Sequence, residues 1–574
     1  MSNSRRRVAQ KIEQIQSDPK PPQGSAVAEW RPALTAIWLT VLAALVSNTS
    51  QLSLAPVFGS IPSSVNHTAA VSSTFLTGSI ARAFWKPRRT TFLQYLPLWA
   101  ACMPVVATAV ILLSDDLGLI LGPMITGFLS CHTIVTVLSY AIAMNVEQID
   151  LSKSVGTSEI ASVAVSAGSL GLFVLLDRKI GELLPSILSL SQHLNPLNLQ
   201  VLSSLALGAA LPQRQNLFYA TVLVANVVAL LAPQGSGPYS LAVANAGLGA
   251  QNWTLLARRW SNTGYISVLE NTDQQYRVLR CDHSLLGGEW QLTPERRKQG
   301  WQVSEPIYAV FEMLEAVRLL KTDQPIPDKD AKALVIGLGI GTAPKALISH
   351  GINTTIIELD PVVHQYASTY FDLPPAHAAY LSNAIPWVQT QSKLEQTYDY
   401  ILHDVFTGGA EPLALFTTSF LQNLRSLLSP NGIAAINYAG DVSLPLTALV
   451  LNTIDLAFDR QCSAFRDQAP AASSPAGGPA EDFTNLVVFC RNTPGPFSFR
   501  QPREADLLRS QSRRQYLLPN PDLTVDFPLR SSSQSAEVLE DGDMGKWRAQ
   551  QQESAARHWR IMRTVLPSRV WELY

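Results

Sequence analysis

The chain has 574 residues, of which 47% are hydrophobic and only 15% are charged, and its formal net charge is -1. This balance excludes a uniformly basic surface for nucleic acid. Charge is unevenly spread, because about 8% of residues 31–235 are charged against about 19% of the residues that follow. A single water-soluble domain is therefore not expected, since an apolar half precedes a half of nearly ordinary soluble composition.

The first half of the chain is predicted to contain a tail followed by membrane spans. Residues 1–30 are rich in basic side chains and contain several prolines, which predicts a disordered basic tail. Residues 31–235 contain six or seven apolar stretches, which predict a transmembrane helical domain. Basic residues Lys86, Arg88 and Arg89 follow the second stretch, and Arg258 and Arg259 follow the last. By the positive-inside rule these residues favour six spans, an integral multi-pass membrane protein and a soluble domain in the cytosol.

The five cysteines, at positions 102, 131, 281, 462 and 490, show no CxxC spacing. They also lack histidine partners at the intervals typical of metal ligands. The sequence therefore predicts neither a disulfide framework nor a metal site, and all five are expected to pack as small apolar residues.

Residues 260–325 predict a small module of a β-hairpin and a helix. Residues 265–270 and 276–281 alternate apolar and polar side chains on either side of a polar turn, a pattern typical of two paired strands. Ser304 and Pro306 then resemble the start of a helix, with Ser304 as the N-cap.

A glycine-rich turn follows an apolar strand at residues 333–336. The turn contains Gly337, Gly339 and Gly341 and leads into a helix. Glycines at such a turn let the backbone approach a bound nucleoside. A dinucleotide-binding fingerprint would place its third glycine where Thr342 stands, so a nucleoside site is favoured over a pyrophosphate-binding NAD site.

Two acidic residues end the next predicted strand, at residues 354–357. Glu358 lies 17 positions after Gly341, and Asp360 follows it. A carboxylate at this strand tip can accept hydrogen bonds from ribose hydroxyls. The alternative is a tight turn with a solvated strand-end acid.

Residues 326–493 as a whole predict an α/β Rossmann-like domain, because strands and helices alternate and two strands close the pattern. The polar extension at residues 494–574 contains an amphipathic helix predicted at residues 547–566, which could dock on the domain or on a membrane surface. The further predicted strands are residues 378–381, 398–402, 432–438, 462–465 and 484–490.

These residues resemble the spermidine synthase-like family of polyamine aminopropyltransferases, in its membrane-fused type, on the S-adenosylmethionine-dependent methyltransferase fold. The resemblance covers residues 264–491, about 40% of the chain. It rests on residues 276–279 with Asp282, on residues 304–308, on the glycine turn with Glu358, and on residues 398–404. The resemblance implies that Asp404 is the catalytic base at the end of the fourth strand and that Tyr308 orients the base or the amine. It implies cofactor contacts from Gly337, Gly339, Gly341, Glu358, Asp360, Asn383 and Ala384.

Several positions depart from the family pattern. Ile340 replaces an acidic residue in the glycine turn, Leu286 replaces a glutamine, and Thr407 replaces an acidic residue after the base. The family's Gly-Asp-Ala pattern on the adenine side appears here as residues 382–384, Ser-Asn-Ala. The departures leave a sulfonium nucleoside plausible and put polyamine specificity in doubt. Glu411 is a candidate replacement carboxylate, although an exposed loop glutamate is usually just solvated.

The leading hypothesis is a membrane-anchored transferase that moves an aminopropyl group from decarboxylated S-adenosylmethionine to an amine. The first alternative is a methyltransferase that uses S-adenosylmethionine itself. The second is a non-catalytic membrane scaffold or transporter with a nucleoside-binding domain. The partners expected are a small-molecule amine or other nucleophile and the lipid bilayer, without nucleic acid, and a homodimer is left open.

Overall fold

A computed structural model describes residues 26–87, 90–149, 158–211, 214–394, 396–406, 409, 411–470, 482–527 and 537–574. Most of the predicted basic tail, Arg88 and Arg89, and Thr407 lie outside the described residues. The described part of the chain forms a helical region, a small antiparallel sheet, a larger mixed sheet with helices, and a C-terminal segment that contacts the other three.

The described residues before position 250 form the helical region. Its long first helix α1 buries Leu39, Ala43 and Val46 completely or nearly so, in a core shared with Phe75 and Leu138. A π-helical turn, Phe128–His132, separates the fifth and sixth helices. The ten helices are α1 Ala26–Phe58, α2 Ser60–Ser64, α3 His67–Phe84, α4 Leu96–Ile111, α5 Ser114–Gly127, α6 Thr133–Val146, α7 Ser158–Ser189, α8 Pro196–Ala210, α9 Gln215–Leu231 and α10 Pro238–Gly249.

Three segments of the described part of the chain are both long and apolar enough to cross a bilayer: Trp30–Phe58, Thr91–Ile111 and Ser114–Val146. Other apolar stretches fold into helices shorter than the roughly 20 residues that a span needs, such as α8 with 15 residues and α9 with 17. The helix α7 is long, with 32 residues, but it is not among the three segments. The count of six or seven spans stays a prediction.

The small sheet has five antiparallel strands in sequential order. The predicted hairpin is present, because Asn271 of the second strand pairs with Tyr276 of the third. The predicted helix start near Ser304 is wrong, since Glu305 pairs with Trp290 in the last strand and a helix begins only at Val310. The strands are β1 Trp253–Ser261, β2 Gly264–Asn271, β3 Tyr276–Cys281, β4 Ser284–Trp290 and β5 Glu305–Pro306, and the helices of this module are α11 Pro294–Lys298 and α12 Val310–Met313.

The larger sheet confirms the Rossmann-like prediction. Its strands run in the order β13-β11-β12-β10-β9-β6-β7-β8. The five strands from β10 to β8 are parallel, and β12 is antiparallel to both β10 and β11. Because the carboxyl ends of β6, β7 and β9 meet at one edge, that edge is where such folds bind ligands. The strands are β6 Lys332–Ile336, β7 Asn353–Glu358, β8 Ala378–Leu381, β9 Tyr398–His403, β10 Leu428–Asp441, β11 Cys462–Arg466, β12 Phe483–Arg491 and β13 Thr524–Val525.

Helices cover both faces of this sheet and complete two apolar cores, one on each side. The first core also contains Ile266 and Leu279 of the small sheet, so the two sheets share buried surface. The helices between the strands are α13 Thr342–Ser349, α14 Pro361–Tyr370, α15 Ala384–Gln391, α16 Thr418–Ser426 and α17 Pro445–Ala457.

A disulfide joins Cys462 and Cys490, which contradicts the sequence prediction that all cysteines pack as thiols. The two residues are separated by 28 positions but lie directly opposite each other on β11 and β12. The spacing in the sequence gave no indication of the bond, because only the pairing register of the two strands brings the sulfur atoms together.

The C-terminal segment confirms the predicted amphipathic helix to within one residue at each end. This helix, α19, lies between the helical region and the Rossmann-like domain, where Trp559 donates a 2.9 Å hydrogen bond to the carbonyl of Val57. The segment contains α18 Gln511–Tyr516, α19 Arg548–Val565 and α20 Ser568–Glu572.

Candidate active site

A cavity lies at the carboxyl ends of β6, β7 and β9, and the small sheet closes one side of it through Thr263 and Leu286. Apolar side chains dominate the wall, with a few polar groups at defined places, as is usual for a small-molecule site. The residues that line it are Thr263, Leu286, Ile336, Gly337, Leu338, Gly339, Ile357, Glu358, Leu359, Val363, Ser382, Asn383, Ala384, Asp404, Val405, Phe406, Pro412 and Leu415.

The glycine turn forms the floor of this cavity, and two of its glycines are required by close contacts. Gly337 has a φ of 84°, and a Cβ there would lie 1.9 Å from the carbonyl oxygen of Asp404. Gly339 has a φ of 55°, and its Cβ would lie 2.5 Å from the carbonyl oxygen of Leu286. Only glycine lets the turn pass so close to β9 and β4. Gly341, in contrast, does not line the cavity but precedes α13 in the left-handed conformation.

Glu358 ends β7 and lines the cavity, as predicted. Its side chain is only 8% exposed, and the backbone N–H of Asp360 donates a 2.8 Å hydrogen bond to Oε1. Burial raises the pKa of Glu358 to about 7, because the charged form loses its hydration. The contact of this carboxyl group with a ribose stays a prediction.

Asp360 does not line the cavity, which corrects its predicted contact with a cofactor. It is completely buried, and its carboxylate caps α14 by accepting from the N–H of Val362 at 2.8 Å. It also accepts from the hydroxyls of Ser261 at 2.6 Å and Thr263 at 2.8 Å. Asp360 thus ties the small sheet to the end of β7, a role that depends on tertiary contacts with β1.

The turn after β8 supplies the third wall. Asn383 and Ala384 line the cavity, and Asn383 Oδ1 also accepts a 2.9 Å hydrogen bond from the N–H of Ile385, which caps α15. The neighbouring Ser382 lines the cavity too, and its buried hydroxyl has no hydrogen-bond partner among the described residues. The sequence places Ser382 where the spermidine synthase-like pattern has a glycine, but Ser382 is not among the predicted cofactor contacts.

Asp404 follows β9 and faces the same cavity. The side-chain amide of Asn437, on the adjacent β10, donates a 2.8 Å hydrogen bond to Asp404 Oδ1. Burial raises the pKa of Asp404 to about 6, and the hydrogen bond from Asn437 opposes that rise. Asn437 was missed at the sequence level, where its only signal is an amide within an otherwise apolar strand.

Tyr308 does not reach the cavity, so the structure does not support its predicted catalytic role. Its hydroxyl is buried without a hydrogen-bond partner among the described residues, and its ring contacts Phe311. Burial raises the pKa of Tyr308 to about 12. His403 is completely buried beside the rings of Phe416 and Phe420 and does not line the cavity.

Comparisons with known proteins give one match over nearly the whole chain. The N-terminal histidine N-methyltransferase of Emericella nidulans is 41% identical over 547 residues, which cover 93% of this chain and 96% of the relative. The polyamine aminopropyltransferase of Vibrio vulnificus is 36% identical over 113 residues, 19% of this chain and 38% of that one. A probable spermidine synthase structure from Corynebacterium glutamicum has a TM-score of 0.37 at 15% identity and covers 50% of this chain and 96% of that one. No protein-family model matches the chain.

The fold, the cavity and the methyltransferase relative that matches over nearly the whole chain define a methyltransferase that uses S-adenosylmethionine as methyl donor. The chain belongs to the N-terminal histidine N-methyltransferase family, because the identity extends over almost the full length of both proteins. The predicted sulfonium cofactor is confirmed. The methyltransferase alternative is favoured over the hypotheses of aminopropyl transfer and of a non-catalytic scaffold, since the aminopropyltransferase match is confined to a short segment.

The same findings correct the predicted localisation as a multi-pass membrane protein with a cytosolic soluble domain. The match to the methyltransferase includes the helical region, so this region is part of the family's own chain. Apolar helices alone do not show insertion into a membrane.

The described residues hold no group of three or more metal-ligating side chains.

Proposed function

We propose that the protein transfers the methyl group of S-adenosylmethionine to the histidine at the N-terminus of a protein substrate, and that Asp404 contacts this acceptor. One observation carries the proposal. The chain shares 41% identity over 547 residues with an N-terminal histidine N-methyltransferase, and the carboxyl groups of Glu358 and Asp404 both line its cavity.

Different residues that line the cavity would bind different parts of S-adenosylmethionine. Glu358 is the proposed acceptor for the ribose hydroxyls, because a strand-end acid occupies this place in nucleoside-binding Rossmann-like folds. Asn383 and Ala384 would flank the adenine. The backbone of Gly337 and Gly339 would approach the methionine end, since both residues line the cavity and neither has a side chain.

The transfer itself needs a nitrogen lone pair aligned with the methyl carbon. The new C–N bond forms as the S–CH₃ bond breaks, and S-adenosylhomocysteine leaves with the electron pair on sulfur. A histidine imidazole, with an ordinary pKa of about 6.5, is largely neutral at pH 7.5 and already has its lone pair available. An α-amine, with a pKa of about 8, must lose a proton first.

Asp404 serves either acceptor nitrogen. For an imidazole, its carboxylate would accept a hydrogen bond from the second ring nitrogen and stabilise the positive charge that develops on methylation. For an α-amine, it would take the proton that must leave before attack. Asn437 holds one oxygen of Asp404, which fixes the direction in which the carboxylate points.

The test uses the full chain, S-adenosylmethionine and a peptide that begins with histidine. We expect release of S-adenosylhomocysteine and a peptide one methyl group heavier, with the modified nitrogen identified by NMR. The matched control is the same peptide extended by one alanine before the histidine, which should not react. Equal methylation of both peptides would contradict the N-terminal specificity. Release of methylthioadenosine from decarboxylated S-adenosylmethionine would contradict the methyltransferase chemistry.

A further inference from the structure

Two described residues of the segment that follows Asp404, Phe406 and Pro412, line the cavity together with Asp404 itself. We call these two residues the acceptor wall. An acceptor held beside Asp404, as proposed above, would lie next to them, so their positions help to determine which acceptors fit.

Helix α19 of the C-terminal extension holds this segment at successive points. The hydroxyl of Ser554 donates a 2.6 Å hydrogen bond to Glu411 Oε1, and the amide of Gln551 donates a 2.7 Å bond to the carbonyl of Glu411. Glu411 is consequently only 2% exposed, in contrast to the solvated loop residue expected from the sequence. It does not line the cavity and acts from behind the wall.

A third contact comes from His558, whose ring lies 5.1 Å from the ring of Phe406. A Cβ on Gly409 would lie 3.0 Å from Nδ1 of His558, so the backbone there rests directly on the imidazole. Positions 551, 554 and 558 recur at the spacing of one helix face. This face therefore contacts Phe406, Gly409 and Glu411 together.

Other residues of α19 fix the helix to parts of the protein that do not include this segment. The amide oxygen of Gln550 accepts a 2.7 Å hydrogen bond from the N–H of Leu446 at the start of α17. Arg563 donates to Asp115 at 2.9 Å and to the carbonyl of Val57 at 3.2 Å, both in the helical region. Because both anchors lie outside the acceptor wall, α19 can act as a fixed support for it.

We propose that α19 is a positioning element for methyl transfer. Ser554 and Gln551 hold Glu411, so that the acceptor wall keeps the shape that admits the acceptor. The proposal rests on the proposed function, because it assigns these residues to the acceptor side of that reaction. It also gives the helical region a part in catalysis, through the contacts that Arg563 and Trp559 make with α1. Ser554 and Gln551 act through Glu411 and touch neither donor nor acceptor.

The test compares Ser554→Ala, the conservative Ser554→Thr and the matched control Thr564→Ala in the full chain. Thr564 lies exposed on the same helix and its hydroxyl bonds only to the carbonyl of Ile561 one turn earlier. We expect Ser554→Ala to lower kcat/KM for the histidine peptide about five- to fiftyfold, with the Kd for S-adenosylmethionine within about twofold of wild type. Ser554→Thr should recover most of the loss, and Thr564→Ala should behave as wild type.

Hydrogen exchange gives a readout that needs no peptide substrate. In Ser554→Ala, the amides around Glu411 should exchange faster while those of β6 and β7 keep their protection. If exchange accelerates but wild type methylates no histidine peptide, the positioning contact stands and the proposed function fails. Unchanged kcat/KM in a Ser554→Ala variant, or a fall in donor affinity parallel to the fall in activity, would overturn the positioning role.

Discussion

At the residue scale, two carboxyl groups line the cavity. Glu358 and Asp404 sit on different walls of one cavity, and burial raises the pKa of both, to about 7 and about 6. Each group is thus close to the pH at which its charge changes, so small changes of pH in the neutral range alter the site. The two titrations affect different steps, because one group faces the proposed ribose position and the other the proposed acceptor.

Replacing Asp404 by asparagine should lower turnover of the histidine peptide by about 10² to 10⁴, because the amide keeps the shape and removes the charge and the base. The wild-type rate should rise with pH through about 6 as Asp404 ionises. The variant should keep only the rise that comes from deprotonation of the acceptor nitrogen, near a pH of about 6.5 for an imidazole or about 8 for an α-amine. The measurement is kcat against pH for both proteins, with donor affinity as the control. Turnover at the wild-type level would mean that Asp404 only caps the turn after β9.

The Glu358→Gln substitution should weaken S-adenosylmethionine binding by about 1.5 to 3 kcal/mol, since the ribose loses a charge-assisted acceptor. In wild type the carboxylate binds better than the carboxylic acid, so affinity should fall as the pH drops below about 7. Titration calorimetry at several pH values would measure both effects. A glutamine variant that keeps the same pH dependence would show that another group is responsible.

At the scale of elements, the edge of the large sheet depends on pairing that local sequence does not reveal. The β11–β12 pair carries the Cys462–Cys490 bond, which closes a loop with a sequence separation of 28. Similarly, residues 304–306 match a helix start by local pattern, but Glu305–Pro306 form a strand because Glu305 pairs with Trp290 of β4. In both places a partner distant in sequence determines the structure.

Removing the disulfide with the Cys462→Ala and Cys490→Ala double substitution should cost about 2 to 4 kcal/mol of unfolding free energy, because the loop it closes gains entropy in the unfolded chain. Denaturant unfolding of both proteins would measure the loss. Differential alkylation followed by mass spectrometry supplies the control, since only the thiols of Cys102, Cys131 and Cys281 should react after unfolding without reductant. Alkylation of Cys462 in that experiment would contradict the bond.

At the scale of the whole molecule, one buried guanidinium joins three parts of the chain. Arg280 of β3 is 1% exposed and donates to the carbonyls of Val570 at 2.7 Å, Trp571 at 3.0 Å and Pro56. These carbonyls belong to the C-terminal segment and to α1. Burial lowers the pKa of Arg280 to about 10, so it remains charged at neutral pH.

The Arg280→Ala substitution should destabilise the protein by about 3 to 5 kcal/mol, because three buried carbonyls lose a charged donor at once. It should also make the C-terminal segment sensitive to proteolysis. The matched control is Arg277→Ala on the same strand, where a partly exposed pair with Glu270 should contribute less than about 1 kcal/mol. Equal effects of the two substitutions would show that Arg280 does not join these parts.

The sequence by itself determined the Rossmann-like domain, the glycine turn and the two carboxylates Glu358 and Asp404. These features follow from short stretches of chain, in which apolar periodicity specifies a strand and the residue after it must lie at the sheet edge. The same local logic predicted α19 to within one residue.

Only the tertiary structure decided the rest of the site. In the folded chain, Asp360 caps a helix and accepts hydrogen bonds from Ser261 and Thr263. The hydroxyl of Tyr308 is buried away from the cavity. Asn437 donates a hydrogen bond to Asp404. The tertiary structure also placed α19 behind the acceptor wall, although about 140 residues separate Ser554 from Glu411. These contacts depend on which buried polar groups form hydrogen bonds with residues from other elements. A hydrogen bond between residues far apart in sequence has no signature in the local sequence.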